Sequence, residues 1–273
     1  MGNQHVDSFK TVRKMVRSLF FYFVLVVSTI FLGTACILCA VVTRKEKWCH
    51  GFGRLWGAIN LWAAGVRVSV KGLDHVDARG SYIFAANHQG LFDILAVLAK
   101  LPIQFSWLAK EELFRLPVFG RAMRVSGYIP IDRSDHRKAL ESMNRAADRV
   151  RGGTSVVIFP EGTRSLDGVL QEFKKGGFML AIKSQCPVVP MSISGSYRIL
   201  PKRSKWLNTP GCIAITFGSP ISTEGLTVKD RDRLLQEVRE AVRANLTVRE
   251  GGLLSEPECG SPPGRAAIYQ SVL

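Results

Sequence analysis

From position 19 to position 42 the chain runs LFFYFVLVVSTIFLGTACILCAVV without a charged side chain. This is the strongest restriction in the sequence, because so long an apolar run reads as a membrane helix. At about 1.5 Å of rise per residue it measures roughly 36 Å, enough to cross a hydrocarbon layer of about 30 Å with tilt. Lys10, Arg13, Lys14 and Arg17 precede it, and Arg44, Lys45 and Lys47 follow. The run is too long for a signal-peptide core, and its basic downstream flank resembles an anchor more than a cleavage site. Gly2 followed by Val6 does not make a myristoylation signal. Charge at both ends leaves orientation undecided by the positive-inside rule. A second apolar stretch, LWGAINLWAAGV over 55–66, is too short to span. Its Trp56 and Trp62 suit a helix at the headgroup level, with burial against a soluble core as the other reading. Residues 1–66 therefore form an expected membrane-anchoring helical hairpin.

The remaining chain suffices for one sizeable domain. Lysine and arginine number 37 against 22 acidic residues, a net charge of +15. That field favours anionic partners such as acidic headgroups, phosphorylated substrates or an acidic carrier protein. No nucleic-acid-binding signature accompanies it, and nucleic acid is not an expected partner. The six cysteines form no disulfide pattern. Cys36 and Cys39 make a CxxC inside the apolar run, but a zinc site wants four ligands and no second pair lies nearby. Cys49, Cys186, Cys212 and Cys259 are scattered. A reducing compartment and no metal or cofactor are expected.

Beyond Val66, short runs rich in β-branched and aromatic residues alternate with helical periodicities. Strands are expected at VRVSV (66–70), SYIFAA (81–86), QFSWLA (104–109), SVVIFP (155–160), PVVPMSI (187–193) and CIAITF (212–217). Helices are expected around the stripe Leu140, Met143, Ala147, Val150 and around Leu234, Leu235, Val238, Val242, Leu246. Thr227 and Asp230 read as a capping pair before the second stripe. Such alternation predicts an α/β fold, a mostly parallel sheet covered by helices on both faces, over 67–248. Residues 249–273, rich in Gly, Pro and Ser, read as a flexible tail.

Directly after the apolar run 82–86 comes NHQGLFD, with His88 and Asp93 five positions apart. On one continuous helix these positions would lie about 140° apart. If His88 ends a strand and Gly90 turns the chain, Asp93 reaches back from the first turn of the next helix, as a general base and its orienting carboxylate require. FPEGTRS (159–165) likewise follows a strand, and loops beyond strand ends form the ligand crevice in such sheets. Gly162 would permit close backbone approach, and Arg164 offers a planar fork for phosphate. Glu161 could order Arg164 or contact a substrate hydroxyl. Lys174 and Lys175 read as a solvated pair or as helpers at a helix N-terminus. SISGS (192–196) lacks the spacing of a nucleophile elbow.

Together these stretches resemble the glycerolipid acyltransferase family of 1-acylglycerol-3-phosphate acyltransferases. NHQGLFD fits its Asn-His-x4-Asp motif. KEELFRLPVFGRAMRVSGYIPIDR (110–133) is similar to its second block, FPEGTRS to its third and VPMSISG (189–195) to its fourth. The resemblance covers roughly 67–220 and implies a membrane-bound enzyme of phospholipid biosynthesis, its domain facing the cytoplasm. It would transfer an acyl group from acyl-CoA or acyl-carrier protein to 1-acylglycerol 3-phosphate, giving phosphatidate. His88 and Asp93 are the implied catalytic residues. Asn87, Lys110, Arg133, Glu161, Gly162, Thr163 and Arg164 are the implied substrate-binding residues, with Arg164 on the glycerol phosphate. Val189, Met191 and Ile193 would line an acyl channel or a strand core. Other readings are a different acceptor such as lyso-ornithine lipid, a non-catalytic lipid-binding protein, or a hydrolase in which His88 activates water.

Overall fold

The computed structural model describes residues 2–132, 136–208 and 210–255. Two helices come first, α1 (Gly2–Thr43) and α2 (Glu46–Ala64), followed by β1 (Val66–Lys71), β2 (Ile83–Ala86), α3 (Leu91–Lys100) and β3 (Phe105–Lys110). Next are α4 (Phe119–Val125), β4 (Ile129–Ile131), α5 (His136–Arg151), β5 (Ser155–Ile158) and α6 (Gly176–Ser184). The chain continues through β6 (Val188–Ser194), α7 (Ser196–Ile199), β7 (Gly211–Phe217) and α8 (Arg231–Ala244). Among the described residues the seven strands make one sheet in the order β1-β7-β6-β2-β5-β3-β4, and only the β6–β7 pair is antiparallel. The expected mostly parallel sheet is thus present.

β2 explains why both faces are covered. Its four residues IFAA are all buried. Successive side chains of a strand point to opposite faces. Phe84 and Ala86 enter one core with Phe92 and Leu95 of α3, while Ile83 and Ala85 enter another with Ala146 of α5, Phe178 of α6 and Leu234 of α8. A short, continuously apolar strand is what a centrally placed parallel strand requires. All six expected strands form. β4 was not expected: it is three residues long with Pro130 in the middle. Proline is tolerated there because β4 is an edge strand, paired with β3 alone. Thr227 caps as expected, its N–H 2.9 Å and its hydroxyl 3.0 Å from Asp230 Oδ2.

α1 and α2 pack as an antiparallel pair, since their contacts run in opposite order along the two helices. Cys36 Sγ meets the Cys49 carbonyl at 3.8 Å, Trp56 Nε1 donates to Thr29 Oγ1 at 2.9 Å, Asn60 to Ser28 Oγ at 3.0 Å, and Arg17 to the Ala64 carbonyl at 2.7 Å. Arg17 thereby satisfies a carbonyl at the end of α2. Residues 11–43 of α1 are long and apolar enough to cross a membrane. Phe21, Leu32 and Cys36 face the protein, whereas Phe23, Val27, Ile30, Phe31, Leu38 and Val42 are exposed.

α2 combines both readings of its sequence. Leu55 and Trp62 are exposed, while Asn60, Leu61 and Ala64 are buried. Gly57 lies so close to α3 that an added Cβ would stand 2.7 Å from the Leu95 carbonyl. Trp56 is not a headgroup anchor, being packed against Phe119 and bonded to Thr29.

Packing continues beyond position 249. A 3-10 turn, Val248–Glu250, buries Glu250, and Thr247 bridges to Leu254. Residues 249–255, expected to belong to a flexible tail, are thus part of the packed structure; residues 256–273 lie outside the described residues.

Candidate active site

Three neighbouring parallel strands, β6, β2 and β5, deliver their following loops to one end of the sheet. Ala85 stands in register with Ile158 of β5 and with Pro190 of β6. The loops carrying His88, Glu161–Arg164 and Gly195–Ser196 are therefore neighbours in space.

At the end of β2, Asn87 stands in for a strand residue. Its side chain donates to the Ile193 carbonyl at 2.8 Å and accepts the Ile193 N–H at 2.7 Å. His88 leaves the strand next, and Gly90 caps α3 in an extended conformation. Asp93, at the third position of α3, turns back: its Oδ2 accepts the N–H groups of Gln89 at 2.7 Å and Gly90 at 2.8 Å, and lies 2.7 Å from His88 Nδ1. The Ser196 hydroxyl donates to the other oxygen, Oδ1. Asp93 is completely buried, and the imidazole is largely so. With Nδ1 held by a carboxylate, Nε2 is the imidazole nitrogen left for a proton from the cavity that His88 lines.

The FPEGTRS loop grips the same histidine. Phe159 stacks on the imidazole with centroids 3.9 Å apart and planes 12° from parallel. Glu161 Oε1 accepts the His88 N–H at 3.0 Å, and Ser165 donates its N–H to the His88 carbonyl at 2.8 Å. Glu161 was expected to contact substrate or order Arg164; it lies instead beneath the loop, 3% exposed. Its Oε2 has no hydrogen-bond partner among the described residues. Burial pushes this carboxyl up to about 8; the His88 N–H pulls it back, Asp93 adds to the rise and Arg239 opposes it. Gly162 has φ near 77°, a conformation that favours glycine, and an added Cβ would meet the Lys174 side chain at 3.0 Å.

Thr163 and Arg164 reach the rim. Arg164 is half-buried, and its guanidinium has no carboxylate partner among the described residues. Lys202, which the sequence reading did not single out, donates to Thr163 Oγ1 at 3.1 Å and to the Arg164 carbonyl at 2.8 Å. Its one signal was the basic cluster PKRSK after the fourth block. Lys110 borders the cavity and pairs with Glu112 at 2.8 Å on the surface. Arg133 lies outside the described residues. Lys175 forms an exposed pair with Asp232 at 2.9 Å, so the solvated reading fits it. Among the described residues no group of three His, Cys, Asp or Glu side chains could hold a metal ion.

From His88 a cavity of about 590 Å³ runs under α1 and α2. Phe159, Trp107 and Tyr128 line it, and a chain of ring contacts runs from His88 through Phe159, Trp107, Phe105 and His50 to Tyr128 with successive centroids 3.9 to 6.0 Å apart. Leu32, Leu91, Ile94 and Phe119 contribute to its walls, and Cys36, Cys49, Gly53, Ser126 and Tyr128 to its lining far from His88. Beneath that region His50 Nδ1 lies 3.1 Å from the Tyr128 hydroxyl. Burial, aided by Arg54, pushes His50 down to about 4, and burial raises Tyr128. Val189, Met191 and Ile193, one candidate channel lining, are fully buried in the sheet core and stand apart from this cavity.

Comparison with known proteins agrees with this geometry. Residues 67–194 match the Acyltransferase family. The chain is 33% identical over 178 residues to the chloroplastic 1-acyl-sn-glycerol-3-phosphate acyltransferase of Brassica napus, covering 65% of this chain and 51% of that protein. It spans about half the length of that relative and of the chloroplastic one from Arabidopsis thaliana. The crystal structure of the 1-acyl-sn-glycerophosphate acyltransferase PlsC from Thermotoga maritima matches with a TM-score of 0.73 at 28% identity, covering 85% of this chain and 94% of that one. The 1-acyl-sn-glycerol-3-phosphate acyltransferase alpha of Mus musculus is 32% identical over 203 residues, which cover 74% of this chain and 71% of that protein. By that extended match, and by the sheet and loops it spans, the chain belongs to the 1-acylglycerol-3-phosphate acyltransferase family.

Proposed function

We propose that this chain is a membrane-bound O-acyltransferase that moves a fatty acyl group from a thioester donor to the free hydroxyl of 1-acylglycerol 3-phosphate, giving phosphatidate. The observation that carries the reading is a histidine paired with a buried aspartate at 2.7 Å, in the wall of a largely apolar cavity. A volume near 590 Å³ falls in the range of small-molecule sites, about 300–1,000 Å³. A fatty chain bearing a polar head is the ligand that a largely apolar cavity with His88, Thr163 and Arg164 in its lining suits.

The chemistry follows from which atoms are committed. Asp93 accepts the Nδ1 proton and so holds the tautomer with a free Nε2. Nε2 takes the proton of the acceptor hydroxyl as its oxygen attacks the thioester carbonyl. The C–S bond breaks, and the thiolate, a good leaving group because thiols ionise near pH 8.5, takes the proton back from the imidazolium. No acyl-enzyme and no cofactor are needed. Arg164 and Lys202, together on the rim, supply positive charge for the glycerol phosphate. The exposed apolar residues of α1 enter the bilayer, which brings the rim to the lipid headgroups. The domain faces the cytoplasm, where acyl-CoA and acyl-carrier protein are found.

The test uses the full chain in detergent with labelled acyl-CoA or acyl-carrier protein and a panel of lysolipids that includes lysophosphatidate and lyso-ornithine lipid. Transfer to lysophosphatidate that His88→Ala abolishes is the expected result. Transfer undiminished in His88→Ala, or none from the intact chain with either donor, overturns the reading. Transfer to lyso-ornithine lipid alone moves the acceptor away from phosphate.

A further inference from the structure

Glu250 is a buried carboxylate with no part in the transfer step, and it lies outside the matched region 67–194. Its Oε1 accepts the Gly195 N–H at 2.8 Å and Gln89 Nε2 at 3.0 Å. Its Oε2 accepts Thr247 Oγ1 at 2.7 Å, the Thr247 N–H at 3.1 Å and the Ser194 hydroxyl. Burial works against its ionisation, yet the donors from Ser194, Thr247, Gly195 and Gln89 outweigh it and hold the group below the usual carboxylate range. An ionised buried carboxylate needs several such donors, and this one draws them from three separate segments.

Two of those segments lead to the catalytic pair. Gln89 follows His88, and its amide is fully committed, donating to Glu250 and to the Gly168 carbonyl at 3.0 Å. Its Oε1 lies 3.4 Å from the Tyr197 N–H and 3.3 Å from the Ser196 hydroxyl, which itself donates to Asp93. Gly195, held by Glu250, sets where Ser196 begins. We infer that Glu250 is a positioning residue for the His88–Asp93 pair, reaching it along two routes, through Gln89 and through Gly195–Ser196. Catalysis in this chain then depends on a segment beyond its acyltransferase core. The inference rests on the acyl-transfer reading above.

The experiment compares the full-length chain with Glu250→Gln, which keeps the shape but turns an N–H against the donors. In folded protein kcat should fall about tenfold to a hundredfold while KM for lysophosphatidate stays within about twofold, as expected of a small misplacement of the base. The downfield proton resonance of His88 Nδ1 should shift or broaden, which a merely less stable fold would not cause in its folded molecules. Adding Ser196→Ala should cost little beyond the larger single effect, because both act on one network. An unchanged kcat, an unmoved resonance, or costs that multiply would each overturn the inference. Gln89→Leu, which cuts one route and leaves Glu250 in place, makes the same predictions if Glu250→Gln does not fold. An intact chain without transferase activity would sink the acyl-transfer reading instead, and the resonance would still decide whether Glu250 positions His88.

Discussion

On one face of the sheet, α5, α6 and α8 press Ala146, Phe178, Leu180 and Val238 directly onto Ile83, Ala85 and Val156, all almost completely buried. On the other, α1, α2 and α4 stand over β3 and leave about 590 Å³ open between helices and strands. The filled face backs the site: Arg239 of α8 acts on Glu161, and the turn after α8 supplies Glu250. The hollow face offers room for a flexible apolar ligand. His88 and Asp93 sit where the two meet: α3, on the hollow side, carries Asp93, while Glu161 and Glu250 are held from the filled side.

The largest expected effect is at that junction. Asp93→Asn keeps the side-chain shape but favours the wrong imidazole tautomer, and kcat should fall by about 10⁴-fold. Steady-state kinetics, with circular dichroism to confirm folding, checks it. Activity within about tenfold of the parent would mean that Asp93 only caps α3.

Next comes the filled face. Phe178 is fully buried between the sheet and α8, and Phe178→Ala should destabilise the protein by about 3–5 kcal/mol, measured by thermal unfolding in detergent. Surviving folded enzyme should keep its preference among acyl chain lengths. A changed preference would mean that the filled face also shapes the cavity.

Glu161 gives a smaller, pH-dependent effect. Its carboxyl is raised from 4.5 to about 8 by burial, so the folded state holds a proton that the unfolded chain has lost. The stability it contributes is fully present below pH 4.5 and is lost as pH rises toward about 8. The slope is at most about 1.4 kcal/mol per pH unit. Glu161→Gln cannot ionise and still offers an oxygen to the His88 N–H. Its melting temperature should fall less than the parent's between pH 5 and 8 (about that window). Parallel melting curves for the two proteins would show that Glu161 is already ionised near neutrality.

Much of the filled half was legible in the sequence. The stripes of α5 and α8 have helical spacing, and the paired apolar and polar chemistry of NHQGLFD marks a strand end. The hollow half was less so. Val189, Met191 and Ile193 alternate as a strand residue set should, but alternation does not say which chamber they face. The cavity arises from how α1, α2 and α4 sit against β3, a tertiary arrangement that no local pattern encodes. Glu250 was hidden by the glycines and prolines around it, although Thr247 and Glu250 have the spacing of a capping box, and that box does form. β4 was missed because Pro130 argues against a strand everywhere except at an edge.

The smallest effect separates the two faces most directly. Gly53 lines the cavity beside Tyr128, and an added Cβ would stand 3.2 Å from the Tyr128 hydroxyl and 3.5 Å from Leu98. Gly53→Leu should therefore fill cavity volume far from His88 while leaving the catalytic pair untouched. Each methylene shut out of apolar surroundings forfeits about 0.8 kcal/mol, so long-chain donors should lose about fourfold in kcat/KM per excluded carbon, and short ones should lose nothing. Gly177→Ala is the matching change on the filled face, where the new Cβ would meet Ile158 Cδ1 at 2.4 Å. It should lower the melting temperature and leave the chain-length profile flat relative to the parent. Equal losses for every donor in Gly53→Leu would place the fatty chain somewhere other than this cavity. A shifted profile in Gly177→Ala would show that the two halves are coupled through the sheet, by way of β5 or of β2, both of which pack against α6.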